Sequence, residues 1–260
     1  TRAGRLAAVP AGGTRAATAL VRTLRGDEVP MDPPPPVDLD LYESETPLAP
    51  LFEAIAAGPA SDVSLLLTGP PGTGKTALAH HFARAVDRPL FARRASDLLS
   101  RWVGGTEAAI ADAFAEARRR GAVLLFDEAD SLLFGRGTAR TTWEVGQVNE
   151  LLTWLDRHPL PVVAATNHGW KLDPATLRRF VFKLDLQPLS PARAARAFAR
   201  FFGAPAPPAL AGVHGLTPGD FTVVKRQLRH SAATCPADIV ARLEREVAAR
   251  PEAPGRLGFG

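Results

Sequence analysis

The sequence has little of several residue types that mark particular protein classes. It contains one cysteine, Cys235, so no disulfide can form within the chain, and a reducing cytoplasmic compartment is expected. Its apolar runs, such as Ser64–Thr68, are far shorter than the roughly 20 residues of a membrane helix, so no membrane span is expected. It has no His-Glu-x-x-His motif, which excludes that type of zinc protease centre from these residues.

Lysine is scarce as well, since only four of the 31 basic residues are lysines. The formal net charge is +4, and the longest run of basic residues is the three arginines at 118–120, too short for a polybasic patch. Binding to nucleic acid is therefore possible but not favoured.

The chain length of 260 residues allows one large domain or two smaller ones. The chain begins with Thr1, and its only methionine is Met31, so we expect it to be a piece of a longer protein. Four consecutive prolines at 33–36 predict a stiff linker, which would make residues 1–36 a separate N-terminal segment.

Strand and helix patterns alternate after residue 37. Apolar runs predict strands at 64–68, 89–92, 123–126, 162–165 and 181–186, with helices at 76–86, 107–119 and 147–155. This alternation predicts an α/β domain over residues 37–187, in which a parallel sheet is covered by helices on both faces.

The pattern changes to helices alone after residue 187. Three predicted helices, at 191–202, 218–230 and 236–250, each begin with proline, which suits the first turn of a helix. Residues 188–260 therefore read as a small all-helical domain. Arg193, Arg196 and Arg200 share one helix face, which either meets an acidic partner or is simply solvated.

The strongest motif lies between the first predicted strand and the first predicted helix. It consists of Gly69, Pro70, Pro71, Gly72, Thr73, Gly74, Lys75 and Thr76, followed by Ala77. Glycines let backbone N–H groups surround phosphate oxygens, and the helix N-terminus adds its positive dipole end. Lys75 is predicted to reach the terminal phosphates and Thr76 to bind Mg²⁺. The weaker alternative is an ordinary glycine-rich turn.

A second motif places carboxylates at the end of a buried strand. Asp127 and Glu128 follow four apolar residues, at the strand end where ligands bind in open α/β sheets. We expect Asp127 to hold Mg²⁺ and Glu128 to polarise the attacking water. The alternative is a solvated helix start. Asp130 is expected to cap a helix or to support the metal ligands from behind rather than to bind metal itself.

Four motifs occur in a fixed order: GPPGTGKT at 69–76, LLFDEADSLL at 124–133, AATN at 164–167 and LDPATLRRF at 172–180. Together they resemble the AAA family of ring ATPases, in a bacterial-type module whose motifs are most similar to the spastin- and katanin-like branch. The resemblance implies a P-loop NTPase fold with a helical lid, and Mg²⁺-dependent hydrolysis of ATP to ADP and phosphate. It also implies a hexameric ring of identical chains that remodels, unfolds or threads a polypeptide. The alternatives are a motor or loader for nucleic acid and a nucleotide-binding scaffold without catalysis.

The resemblance also assigns roles to residues outside the two motifs. Asn167 would sense the γ-phosphate, although it could instead cap a turn. Arg178 and Arg179 resemble arginine fingers, which reach the nucleotide of the neighbouring subunit; the alternative is a pair of surface salt bridges. Which of the two arginines is the main finger stays open. Gly219 would lie beside the nucleotide from the lid.

A loop before the second helix of the α/β part resembles a pore loop. Trp102, Val103 and Gly104 would project into the ring channel and grip an extended polypeptide through apolar contact. The alternative is a tryptophan packed in the core. Residues 135–140 would form a second pore-facing loop.

Overall fold

The computed structural model describes residues 37–59, 62–100, 102, 104–133, 142–169, 172, 174–231 and 235–250. The predicted N-terminal segment 1–36, Val103 and the predicted second pore-facing loop 135–140 lie outside the described residues. None of the helices in the described ranges combines the length and hydrophobicity that crossing a membrane requires.

The predicted strands and helices are found along the described chain, and their ends differ from the prediction by at most five residues. In chain order the elements are a 3-10 helix (Leu39–Leu41), β1 (Glu43–Ser44), α1 (Leu48–Ala57), β2 (Ser64–Thr68), α2 (Lys75–Ala85), β3 (Leu90–Arg94), α3 (Ala95–Leu98), α4 (Gly105–Arg120), β4 (Val123–Asp127), α5 (Asp130–Leu133), α6 (Thr142–Arg157), β5 (Val162–Thr166), α7 (Pro174–Arg179), β6 (Phe182–Gln187), α8 (Pro191–Phe202), a 3-10 helix (Pro208–Gly212), α9 (Pro218–Gln227) and α10 (Pro236–Ala248). No sequence pattern predicts β1, α1, α3, α7 or the two 3-10 helices.

The strands of the described residues form one sheet in the order β1-β6-β2-β5-β4-β3. Strands β2 to β6 are parallel, whereas β1 pairs antiparallel with β6. The predicted parallel sheet is therefore confirmed over β2 to β6. β1, which no sequence pattern predicts, adds an antiparallel strand beside β6. Since β2, β5 and β4 are neighbours, the segments that follow them meet at one edge of the sheet.

Alternate residues of each strand point to two separate apolar layers. In β2, Leu66 packs with the layer formed by α3 to α6, while Leu65 and Leu67 pack with α1 and α2 on the other face. All three leucines are at most 1% exposed. Because both faces of β2 are buried, its sequence is a continuous apolar run. Burial of each leucine side chain stabilises the folded state by about 1.5–3 kcal/mol.

A third apolar cluster joins the helices that follow the sheet. Phe198 of α8, Phe221 of α9 and Leu243 of α10 are fully buried there. Leu41, from the N-terminal 3-10 helix, belongs to the same cluster. The 3-10 helix Leu39–Leu41 therefore packs against the C-terminal helices, and the division between residues 187 and 188 remains a proposal.

Two of the three arginines on the predicted basic face of α8 meet acidic groups of the same chain. Arg193 Nε lies 3.3 Å from Glu43 Oε2, and its Nη1 donates to the backbone oxygen of Asp40 at 3.0 Å. Arg200 Nε lies 3.8 Å from Asp38 Oδ2. These contacts hold residues 38–43 against α8.

One buried histidine should make the stability of the fold depend on pH. His158, which follows α6, is 4% exposed, and its ring lies edge-on to Phe114 with centroids 5.0 Å apart. Its Nε2 atom has no hydrogen-bond partner among the described residues. Burial, and then the charge of Arg118, lowers the pKa of His158 from its ordinary value of 6.5.

The folded state should lose stability when the pH falls below 6.5, because the unfolded chain then binds a proton that the folded His158 binds only at lower pH. The loss should reach at most about 1.4 kcal/mol per pH unit from this residue. Replacing His158 with Phe, which cannot titrate, should flatten that slope in urea unfolding between about pH 5 and 7. The matched change at the exposed His214 should leave the slope as in the parent chain; an unchanged slope in His158→Phe would contradict the assignment.

Candidate active site

The loop between β2 and α2 depends on three glycines. Gly69, Gly72 and Gly74 have φ angles of +136°, +85° and +90°, which side chains other than glycine rarely adopt. A Cβ atom at Gly69 would lie 2.1 Å from the carbonyl oxygen of Leu186, and one at Gly74 would lie 2.8 Å from the Tyr42 hydroxyl. Both the backbone conformation and the surrounding contacts therefore require glycine.

Lys75 begins α2 and folds back over this loop. Its Nζ donates to the backbone oxygens of Gly69 at 2.7 Å and Pro70 at 2.9 Å. Burial lowers the pKa of Lys75 to about 8, while the carboxylates of Asp127 and two other aspartates act in the opposite direction. The amine is still mostly protonated at neutral pH and lies at the loop that the motif assigns to phosphate.

Thr76 and Asp127 meet although they are 51 positions apart in the sequence. The Thr76 hydroxyl donates to Asp127 Oδ2 at 2.8 Å, which brings the first turn of α2 against the end of β4. Hydroxyl and carboxylate oxygens are the hard ligands that Mg²⁺ prefers. The residues present therefore fit the predicted magnesium site.

Glu128 follows β4 with an unusual backbone. Its φ is +52°, a left-handed conformation that costs a non-glycine residue free energy and is found at functional sites. Its backbone N–H donates to Asp127 Oδ1 at 3.0 Å, and its side chain is exposed. Asp130 is the first residue of α5 and accepts a hydrogen bond from the Thr166 hydroxyl, and its role stays a prediction.

Asn167 follows β5, the strand between β2 and β4, and is half-buried. The next N–H, of His168, donates to the Thr166 hydroxyl at 3.0 Å and shapes this turn. The structure thus brings five predicted residues to one edge of the sheet, namely Lys75, Thr76, Asp127, Glu128 and Asn167.

The first turn of α9 lies directly on the phosphate loop. The N–H of Gly219 donates to the backbone oxygen of Gly72 at 2.9 Å. A Cβ atom at Gly219 would lie 2.8 Å from Gly72 Cα, so the two backbones touch. Gly219 is therefore placed beside the loop, as the sequence analysis predicts for a lid glycine.

Tyr42 is a loop contact that the sequence analysis does not assign. Its hydroxyl donates to the backbone oxygen of Gly74 at 3.1 Å, and its side chain is buried, which raises its pKa. The only signal in the sequence is its rarity, because it is the single tyrosine of the chain.

Residues 65–188 match the family model described as "ATPase family associated with various cellular activities (AAA)". This match covers β2 to β6 and the five predicted residues that meet at the edge of the sheet. The chain contains an AAA-family ATPase domain. The prediction of an AAA ATPase is thereby confirmed.

Curated relatives agree with this assignment over the same region. The chain is 43% identical to protein CdcH of Halobacterium salinarum over 120 residues, 44% of this chain and 16% of that protein. It is 40% identical to the ATP-dependent zinc metalloprotease FtsH 3 of Sphaerobacter thermophilus over 139 residues (51% and 28%). Fidgetin-like protein 1 of Drosophila melanogaster is 39% identical over 139 residues (51% and 26%).

The matched region spans less than a third of the length of each of these relatives. They carry several different names, so the placement in the spastin- and katanin-like branch stays a prediction.

The structure does not bring the predicted arginine fingers to the phosphate loop of their own AAA domain. Arg178 and Arg179 are exposed at the end of α7, and the Arg179 backbone oxygen accepts a hydrogen bond from the Ser64 hydroxyl at 3.1 Å. Ser64 begins β2, whereas the phosphate loop follows its end, about 15 Å away for a five-residue strand. Arg179 also pairs with Asp156.

Trp102 lies between α3 and α4 and is 83% exposed. Its backbone N–H donates to the Ser100 hydroxyl at 3.1 Å. Gly104 nearby has a φ of +81°, and no atom of the described residues lies within 4 Å of where its Cβ atom would be. The alternative of a tryptophan packed in the core is therefore wrong. An exposed aromatic side chain of this size is available for contact with another molecule.

Proposed function

We propose that this AAA domain binds ATP with Mg²⁺ at the edge formed by β2, β4 and β5 and hydrolyses it to ADP and phosphate. The observation that carries the proposal is the contact between Thr76 and Asp127, made beside the buried amine of Lys75. Residues Gly69 to Ala77 would surround the phosphates, with Gly219 approaching from α9.

Thr76 and Asp127 are the residues that would hold the metal ion. When bound, Mg²⁺ would offset negative charge on the phosphate oxygens. Lys75 would exchange its bonds with the loop carbonyls for bonds with phosphate oxygens, which a protonated amine strongly favours.

Glu128 and Asn167 are proposed to act on the attacking water. The Glu128 carboxylate would accept its proton as general base, and the strained backbone would fix the position of the carboxylate. The Asn167 amide would orient the same water and donate to the terminal phosphate, because an amide offers both a donor and an acceptor.

The arginines would serve a neighbouring chain. Arg178 and Arg179 lie near the start of β2, whereas their own phosphate loop follows the end of this strand. A contact between these arginines and a nucleotide would therefore need a second copy of the chain. This supports assembly of identical chains, which we propose to be a hexameric ring in the cytoplasm. Because Arg179 is paired with Asp156, we propose Arg178 as the main finger.

We propose that the ring remodels, unfolds or threads a polypeptide that Trp102, Val103 and Gly104 grip in its channel. The exposure of Trp102 supports this, since a flat apolar surface holds an extended chain with little regard to its sequence. A nucleic-acid substrate is the competing possibility, but no residue of the described site favours it.

Replacing Trp102 with Ala should leave ATP hydrolysis close to the parent rate and abolish polypeptide processing. The processing assay is loss of fluorescence from green fluorescent protein carrying an unstructured tail, with ATP turnover measured on the same samples. Val223→Ala, at another exposed apolar residue, is the matched control and should preserve both activities. Unfolding at the parent rate by Trp102→Ala would overturn the grip, and stimulation of turnover by DNA but not by polypeptide would favour the nucleic-acid alternative.

A further inference from the structure

Arg250 connects the end of the C-terminal helix to the first turn of α9. Its Nη1 donates to the backbone oxygen of Gly215 at 2.9 Å, and its Nη2 donates to the Thr217 hydroxyl at 3.2 Å. The same Nη2 forms a charged hydrogen bond with Asp220 Oδ1. The planar guanidinium can make all three contacts because its donors form a rigid fork.

Asp220 is the centre of this network. It is 6% exposed, and its second oxygen, Oδ2, accepts hydrogen bonds from the Thr217 N–H at 2.7 Å and the Thr217 hydroxyl at 2.9 Å. Thr217 and Asp220 form a capping box that fixes the start of α9. With Arg250 on Oδ1, both carboxylate oxygens are bonded and the turn has one favoured geometry.

The first turn of α9 contacts the phosphate loop. Besides the bond from Gly219 to Gly72, the Thr217 hydroxyl lies only 2.6 Å from where a Cβ atom of Gly72 would be. The hydrogen bond and this close packing couple the turn to the loop, because packed interiors transmit strain. A shift of Thr217 would therefore move Gly72.

We propose that Arg250 is a positioning residue for nucleotide binding, which acts through Asp220 and Thr217 to hold Gly72 in the conformation that accepts phosphate. This inference rests on the proposed nucleotide-binding function. Arg250 would thus affect the conformation of Gly72, which lies 178 positions earlier in the sequence.

Removing the guanidinium leaves a buried carboxylate oxygen without its charged donor, and the turn must rearrange or admit water. Arg250→Ala should therefore weaken binding of mant-ADP, a fluorescent ADP analogue, by about tenfold, because small displacements near phosphates have large effects. Arg250→Lys keeps the charge without the fork and should give a smaller loss. Arg245→Ala removes a charge from the last turn of α10, just before Arg250, where the side chain donates to the Ala241 backbone oxygen, and should bind as the parent does.

Hydrogen exchange in the nucleotide-free chain gives a readout that is independent of function. The Gly219 amide, which donates to Gly72, should exchange faster in Arg250→Ala and not in Arg245→Ala. Asp220→Ala should weaken mant-ADP binding as well, and adding Arg250→Ala to it should weaken binding no further, because both changes break one network.

The outcomes separate the two claims. Normal affinity and exchange in Arg250→Ala and Arg250→Lys, or additive losses with Asp220→Ala, would overturn the positioning role while ATP binding stood. A lower melting temperature with unchanged affinity would show a merely structural role and would overturn it equally. Faster exchange at Gly219 in Arg250→Ala, together with a parent chain that binds no nucleotide, would support the mechanical link and overturn the proposed function.

Discussion

Replacing Glu128 with Gln is expected to slow ATP hydrolysis by about 10²- to 10⁴-fold, the range that loss of a general base produces. The amide has the size of the carboxylate but cannot accept a proton from water. Nucleotide affinity should stay almost unchanged, because Lys75, Thr76 and Asp127 are untouched. Phosphate release at saturating ATP, together with mant-ADP titration, measures both quantities.

The control for this experiment is the same chemical change at a glutamate away from the site. Glu116 of α4 pairs with Arg119 and Arg120 on the helix surface, so Glu116→Gln should hydrolyse ATP at the parent rate. Parent-level turnover in Glu128→Gln would show that another group activates the water. Loss of affinity together with turnover would instead assign Glu128 to nucleotide binding.

The residues of the phosphate edge could be predicted because their patterns are local. Gly69 to Thr76 form one continuous motif, and Asp127 and Glu128 immediately follow a buried apolar run. Each motif directly follows the strand that carries it, and the carboxyl ends of parallel strands lie on the same side of the sheet. Sequence reasoning therefore predicts the meeting of Thr76 and Asp127, although it gives no distance.

The contacts that surround this edge could not be predicted, because they join segments without any pattern of their own. β1 has two residues, too few to show a strand period, and its antiparallel pairing is set by the β6 backbone. The contact between Tyr42 and Gly74 depends on the position of β1, which follows Tyr42 in the chain. Arg250 is one of 27 arginines, and nothing in its neighbours distinguishes it.

The arginine pair and the Trp102 loop stay predictions for a different reason. Their proposed partners are a second chain and a polypeptide, and both belong to an assembly rather than to one folded chain. What a single chain establishes is placement: Arg178 lies far from its own phosphate loop, and Trp102 is exposed. Arg178 and Trp102 are thus both placed where they could contact another molecule.

Replacing Gly69 with Ala should lower the free energy of unfolding by at least about 3 kcal/mol, because two separate costs add. The φ of +136° disfavours any side chain, and the new Cβ would lie 2.1 Å from the Leu186 carbonyl oxygen. That carbonyl cannot retreat, since β6 is hydrogen-bonded to β2 on one side and to β1 on the other, where Leu186 pairs with Ser44.

Two further glycines separate these costs in urea unfolding. Gly203 has a φ of +70° but no atom within 4 Å of a Cβ position, so Gly203→Ala should lose only the backbone cost, about 1 kcal/mol. Gly212 has open space and no positive φ, so Gly212→Ala should be neutral or slightly stabilising. If Gly69→Ala costs no more than Gly203→Ala, the contact with β6 can relax, and the loop is held by its dihedral angles alone. The expected order, with Gly69 far above Gly203, means instead that the sheet itself fixes where the phosphate loop begins.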